Sequence, residues 1–154
     1  MKYPILNLSF LLIFLLTQIG CGEASSNQQD PSIYAPKAEK VSQDPMKNKG
    51  IGPIKSVELG EINAEMAEEG KVIFEQMCVA CHKATERFIG PAPKGITERR
   101  TPEWIMNMIL NPDEMVQKDP IAKQLLIEYN LSPMANQNLT EEQARKVLEY
   151  FRTL

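Results

Sequence analysis

The chain has 154 residues, 43% of them hydrophobic and 24% charged, with a formal net charge of −3. That length and composition fit one soluble domain of modest core. The excess of acids argues against a nucleic-acid binder, which would need a basic face.

Residues 1–20 open with Lys2, run through Ile5-Leu6 and the apolar stretch Phe10 to Leu16, and end at Gln18-Ile19-Gly20. A cationic start, a short apolar run and a small residue before a cut describe an export signal. The apolar run is short for a spanning helix. Cys21 directly after Gly20 resembles the lipobox of bacterial lipoproteins, with Gln18 standing where that pattern has an aliphatic residue. The resemblance implies diacylation of Cys21, export, and anchoring by lipid to a membrane of the cell envelope, on the periplasmic side of the export machinery. The alternative is a soluble exported protein with a spare thiol.

Residues 21–57 carry Ser25-Ser26-Asn27-Gln28-Gln29, then scattered Pro31, Pro36, Pro45 and Pro53, with little apolar periodicity. Such a segment lacks the apolar surface that would offset the entropy of ordering it, so it reads as a flexible tether.

Residues 58–154 read as an all-α domain of three to five short helices, with no convincing alternating strand. A first helix is predicted from Asn63 to Met77, with Met66, Ile73 and Met77 close to one face and Asn63 as its cap. A second begins at Thr101-Pro102-Glu103, carries Trp104, Ile105, Met108 and Ile109, and stops at Asn111-Pro112. A shorter one covers Ile121 to Tyr129. The last begins at Thr140, whose partner three residues on is Gln143, a capping box.

Between the first two helices stands Cys78-Val79-Ala80-Cys81-His82, which brings two of the three cysteines beside the sole histidine. Two thiols at this spacing can each add across a vinyl group of one haem, and the next side chain is an imidazole that can reach the iron. Covalent haem is the leading reading. Its competitors are a dithiol redox pair, which would expect a βαβ context, and half of a zinc site, which would need a fourth ligand. With Cys21 lipidated, haem attachment accounts for every cysteine without a disulfide.

Across residues 58–154 the chain resembles a class I, single-haem cytochrome c. The family's first helix carries Gly-x-x-x-Phe ending four residues before the first haem cysteine, as Gly70 and Phe74 do here. Its last helix crosses the first and presents an aromatic near its end, matched by Tyr150 and Phe151 with Val147 one turn earlier. Gly90-Pro91, shortly after the haem motif, matches another family feature. The resemblance implies a cytochrome c fold around one covalent haem c, with the Pro91 carbonyl accepting the His82 Nδ1 hydrogen in support of the iron ligand. One histidine excludes a bis-histidine haem within one chain, and setting aside helical and tether methionines leaves Met115 and Met134 as loop candidates for the sixth ligand. The resemblance favours Met134, which follows Pro133 and precedes the capped last helix. Trp104 is a candidate neighbour of a haem propionate, or a core residue.

Filled axial positions imply one-electron transfer rather than bond chemistry, hence a membrane-tethered carrier, not an enzyme, between a respiratory donor and a terminal reductase or oxidase. The stretch from Lys49-Gly50-Ile51-Gly52-Pro53, together with Arg99 to Pro112, resembles small cytochromes that accompany nitrous oxide reductase. A peroxidase or sensor domain with an open distal site, and a fixed haem subunit of a larger respiratory complex, are the alternatives. From Glu58 onward the domain has five more acids than bases, which suits a basic partner face.

Overall fold

Four helices begin at side chains able to satisfy the free N–H groups of a first turn, and these starts divide the chain. The computed structural model describes residues 41–154. The expected signal segment, Cys21 and most of the expected tether therefore lie outside the described residues. Asn63 accepts the Met66 N–H at 2.9 Å and opens α1, Ala64–Met77. Thr101 accepts the Trp104 N–H at 3.1 Å and opens α2, Pro102–Leu110. Asp119 accepts the Ala122 N–H at 2.7 Å and opens α4, Pro120–Glu128. Thr140 and Gln143 form the reciprocal capping box of α5, Glu141–Phe151. Between α2 and α4 lies α3, Pro112–Lys118, without a side-chain cap. Pro102, Pro112 and Pro120 each stand where a helix start has an N–H to spare. Among the described residues there is no strand, and no helix is long and apolar enough to cross a membrane.

The crossing of α1 and α5 is the seam of the core. The buried stripe of α1 is Ala67, Gly70 and Phe74, not the expected line of Met66, Ile73 and Met77, and Met77 is 38% exposed. Close approach is the reason. A Cβ on Gly70 would overlap the Lys146 carbonyl oxygen of α5, so the helices meet where side chains are smallest. On α5 the seam buries Ala144, Val147, Leu148 and Phe151. Phe74 packs on Tyr150 and edge-on to Phe151 at centroid distances of 5.5 and 5.7 Å, pairs worth about 0.5–1.5 kcal/mol each beyond their burial. Glu149, wholly buried, accepts the Asn63 N–H at 2.8 Å and is paired with Arg145 and Arg152. It ties the start of α1 to the end of α5.

Two expectations change. Asn111-Pro112 does end α2, but proline at a first helical position also permits the next helix, and α3 follows at once. Met115, expected in a loop, is on α3 and fully buried. The second change is the tether boundary. Asn48 and Ile54 are buried, so the packed chain begins ahead of Glu58 and the expected tether is shortened. This strap is held by side chains that take the place of a sheet partner. Asn107 of α2 donates to the carbonyls of Lys49 and Ile54 at 2.9 Å each and accepts the Ile54 N–H at 3.0 Å. Gly52 allows the approach, since a Cβ there would stand 2.8 Å from the Asn107 Cγ.

Candidate haem site

The five-residue motif continues the last turn of α1. Cys78 is the helix cap, its N–H donating to the Phe74 carbonyl at 2.9 Å, and its own carbonyl accepts the N–H groups of Cys81 and His82 at 3.1 and 2.9 Å. Both thiols and the imidazole are thereby held on one tight turn. The loop then returns, and the Gly90 N–H donates to the Cys81 carbonyl at 2.8 Å. That return sets Gly90 against the histidine ring. A Cβ on Gly90 would lie 2.5 Å from His82 Cε1 and 2.8 Å from Nδ1, so the ring position depends on glycine there. His82 Nδ1 lies 2.8 Å from the Pro91 carbonyl oxygen. A carbonyl can only accept, so Nδ1 carries the hydrogen and Nε2 is the ring nitrogen left to meet a metal.

Cys78, Cys81 and His82 line a cavity of about 410 Å³, and so do Met134 and Pro133 from the loop before α5. Its walls are largely apolar, with Trp104, Ile105, Met108 and Ile109 from α2 and Val147 and Phe151 from α5. Burial pushes the Cys78 thiol up to about 11, and Cys81 adds to the effect. A dithiol redox pair needs an accessible thiolate near neutral pH, which burial disfavours at Cys78. Among the described residues no three of His, Cys, Asp and Glu gather as a metal-ion site.

The sequence-derived candidates Cys78, Cys81, His82, Pro91 and Met134 all line this one cavity. Met115 does not. Its sulfur accepts the Ile51 N–H of the strap at 3.0 Å. Trp104 does line the cavity, but its indole N–H donates to Asp119 at 3.1 Å. That N–H is therefore engaged with Asp119, while the ring is buried in the core.

Arg100 is the residue that sequence reasoning missed. It lines the cavity, its guanidinium lies 5.3 Å from the Trp104 ring centre, and its Nε is buried without a partner. Burial first, and then Arg99, lowers its pKa, while Asp119 and Glu128 act the other way. The Arg100 guanidinium also donates to the Arg99 carbonyl at 2.6 Å, so it is the buried Nε hydrogen that is left over, and a cation with a spare donor at the wall of an apolar cavity fits a flat apolar group that carries acid side chains. The other charged groups of the wall are Arg87, Arg99 and Glu128. The acid excess of the domain thus stops short of the cavity. No local pattern announces Arg100; only the fold sets it beside the motif.

The family model described as cytochrome c matches residues 67–154. Among solved structures, the cytochrome c from Rhodothermus marinus is 50% identical, with 66% of this chain and 88% of that one covered and a TM-score of 0.64. An engineered form of that protein is also 50% identical, with 66% and 89% covered and a TM-score of 0.63. A cytochrome c domain from Pseudomonas putida is 30% identical over 55% of this chain and 85% of that one, with a TM-score of 0.51. No curated protein matches. A thiol pair and a lone histidine on one turn, an apolar cavity beside them and a matching family model agree, and the chain belongs to the cytochrome c family, an all-α c-type cytochrome that binds covalent haem c.

Proposed function

We propose that the protein is a one-electron carrier whose haem is joined to Cys78 and Cys81 and whose iron is bound axially by His82 and Met134. It is held to a membrane of the cell envelope through lipidated Cys21 and passes electrons from a respiratory donor to a terminal reductase or oxidase. An electron-carrying role is what the family does in general. The observation behind the axial pair is that Met134 lines the same cavity as the motif, while Met115 is buried with its sulfur against the strap.

Haem supplies the reversible one-electron iron couple, and imidazole with thioether ligation raises its potential. The chain supplies fixation. The Pro91 carbonyl and the space left by Gly90 orient the His82 ring, and the carbonyl fixes the hydrogen on Nδ1 and raises the basicity of Nε2 as a ligand. The apolar walls from α2 and α5 exclude water, and Pro133 restricts the backbone just ahead of Met134. With both axial positions taken, no site remains for a substrate.

Residues 21–47 would serve as the leash, with an r.m.s. reach on the order of 25–30 Å. Nitrous oxide reductase is the acceptor to which the resemblance of the strap and of Arg99 to Pro112 points.

Carbon monoxide tests the axial pair. The ferrous wild-type protein should bind the gas poorly near neutral pH, because it must first displace the thioether. Met134→Ala should bind it rapidly, whereas the volume-conserving Met115→Leu should behave as wild type. Rapid binding by the wild type would show an accessible iron and turn the reading to a sensor or peroxidase.

A further inference from the structure

Asp119 is wholly buried, yet among the described residues no cation stands within ion-pair distance of it. Its Oδ1 accepts the Trp104 indole N–H at 3.1 Å and the Ala122 backbone N–H at 2.7 Å, and its Oδ2 accepts the Asn48 side-chain amide at 2.6 Å. The Asn48 amide orientation is not arbitrary. Its Oδ1 accepts the Gly50 N–H at 2.7 Å, and a backbone nitrogen can only donate, so the NH₂ end is the one that meets Asp119. Three donors therefore converge on the two oxygens of one carboxyl, and no acceptor faces it. A protonated carboxyl would bring a hydrogen that has nowhere to go. The bonding pattern is that of an ionised carboxylate.

This charge sits one side chain behind the cavity. Trp104 and Ala122, two of its three donors, both line the cavity that holds the motif. The third donor comes from the strap, which Thr101 also fastens by donating its hydroxyl to the Asn48 carbonyl at 2.6 Å. A fixed negative charge near the iron favours the ferric state, which carries one more positive charge than the ferrous.

We propose that Asp119 is a buried fixed charge that holds down the reduction potential of the haem, and that Asn48 of the strap keeps it in place as a positioning residue. The strap then does more than cover α2: it brings one of the three hydrogen bonds that hold the carboxylate in place inside the domain. This rests on haem occupying the cavity and not on which group fills its sixth position.

The test is the midpoint potential of the haem-loaded, full-length protein, measured together with its thermal unfolding. Asp119→Asn removes the charge and should shift the ferric-to-ferrous ratio at a fixed applied potential about tenfold toward ferrous, which is about 59 mV for a one-electron couple. Asp119→Ser, which keeps a short capping oxygen for Ala122, should give the same rise if the asparagine variant loads haem poorly. Asn48→Ala loosens the strap but leaves the charge. It should lower the melting temperature while the potential stays at or below the wild-type value. Loosening alone admits water, which favours the ferric state, so a purely structural role predicts a fall in every variant. An unchanged or lowered potential in both Asp119 variants would overturn the proposal, as would a rise in Asn48→Ala equal to theirs. Carbon monoxide binding by Met134→Ala is independent of these readings, so failure of the axial assignment and failure of this proposal are distinguishable.

Discussion

Replacing Gly70 with alanine would test whether the α1 and α5 seam is set by the absence of one methyl group. The added Cβ would overlap the Lys146 carbonyl oxygen and stand 2.9 Å from the Val147 nitrogen. Both are backbone atoms of α5 and cannot turn aside. Relief requires the helices to part by about 1 Å, and a gap of that size forfeits roughly a quarter to a half of each dispersion contact of about 0.1–0.2 kcal/mol. The seam includes Ala67 and Phe74 against Ala144, Val147, Leu148 and Phe151. For about 40–60 such atom pairs the loss is roughly 2–3 kcal/mol, and loosening the Phe74 and Tyr150 pairing adds to it. Alanine returns roughly 1 kcal/mol of helix propensity. A net destabilisation of about 2 kcal/mol should lower the melting temperature by about 8–16 °C in a domain near this size. Circular dichroism of the haem-loaded protein would measure it, with Gly60→Ala as the control, since a Cβ at Gly60 meets nothing within 4 Å. A melting temperature for Gly70→Ala equal to or above that of Gly60→Ala would refute the account.

Gly90→Ala should leave covalent haem staining intact but turn the His82 ring away from the Pro91 carbonyl, because the new Cβ would lie 2.5 Å from Cε1. Its electron paramagnetic resonance g-values in the ferric state report imidazole orientation, and g-values identical to wild type would sink the idea. Cys21→Ser should move the protein from the membrane to the soluble fraction with its visible spectrum unchanged. Membrane association that survives the substitution would point to an uncleaved anchor or a partner complex.

What was legible in the sequence was local. Asn63, Thr101 with Pro102, and Thr140 with Gln143 read as helix starts from the sequence alone, and all three cap helices. A cap depends on residues within one turn of itself, so sequence suffices to find it. The cysteine and histidine motif was legible for the same reason. The buried face of α1 was not, because ranking residues by hydrophobicity picks out Met66, Ile73 and Met77, whereas the seam selects for small size at Gly70. Nor was α3, which has seven residues and no side-chain cap to announce it.

The strap was the costliest omission, and its missed signal lay in another segment. Six of the nine residues of α2 are buried, namely Glu103, Trp104, Ile105, Met106, Asn107 and Ile109. A helix buried on nearly every side must have partners on nearly every side. The cavity and α5 take one face through Trp104, Ile105 and Ile109. Glu103 and Asn107 stand four apart on another, where a charged and an amide side chain would be expected to meet water. Instead Glu103 accepts the Val57 N–H at 3.3 Å and pairs with Lys49 at 3.4 Å, while Asn107 binds the backbone of Lys49 and Ile54. Polar composition made residues 48–57 look like a leash, because an apolar stripe is the usual sign of packing. A segment this short can instead be held by a few side chains that satisfy its backbone, and those side chains were written into α2.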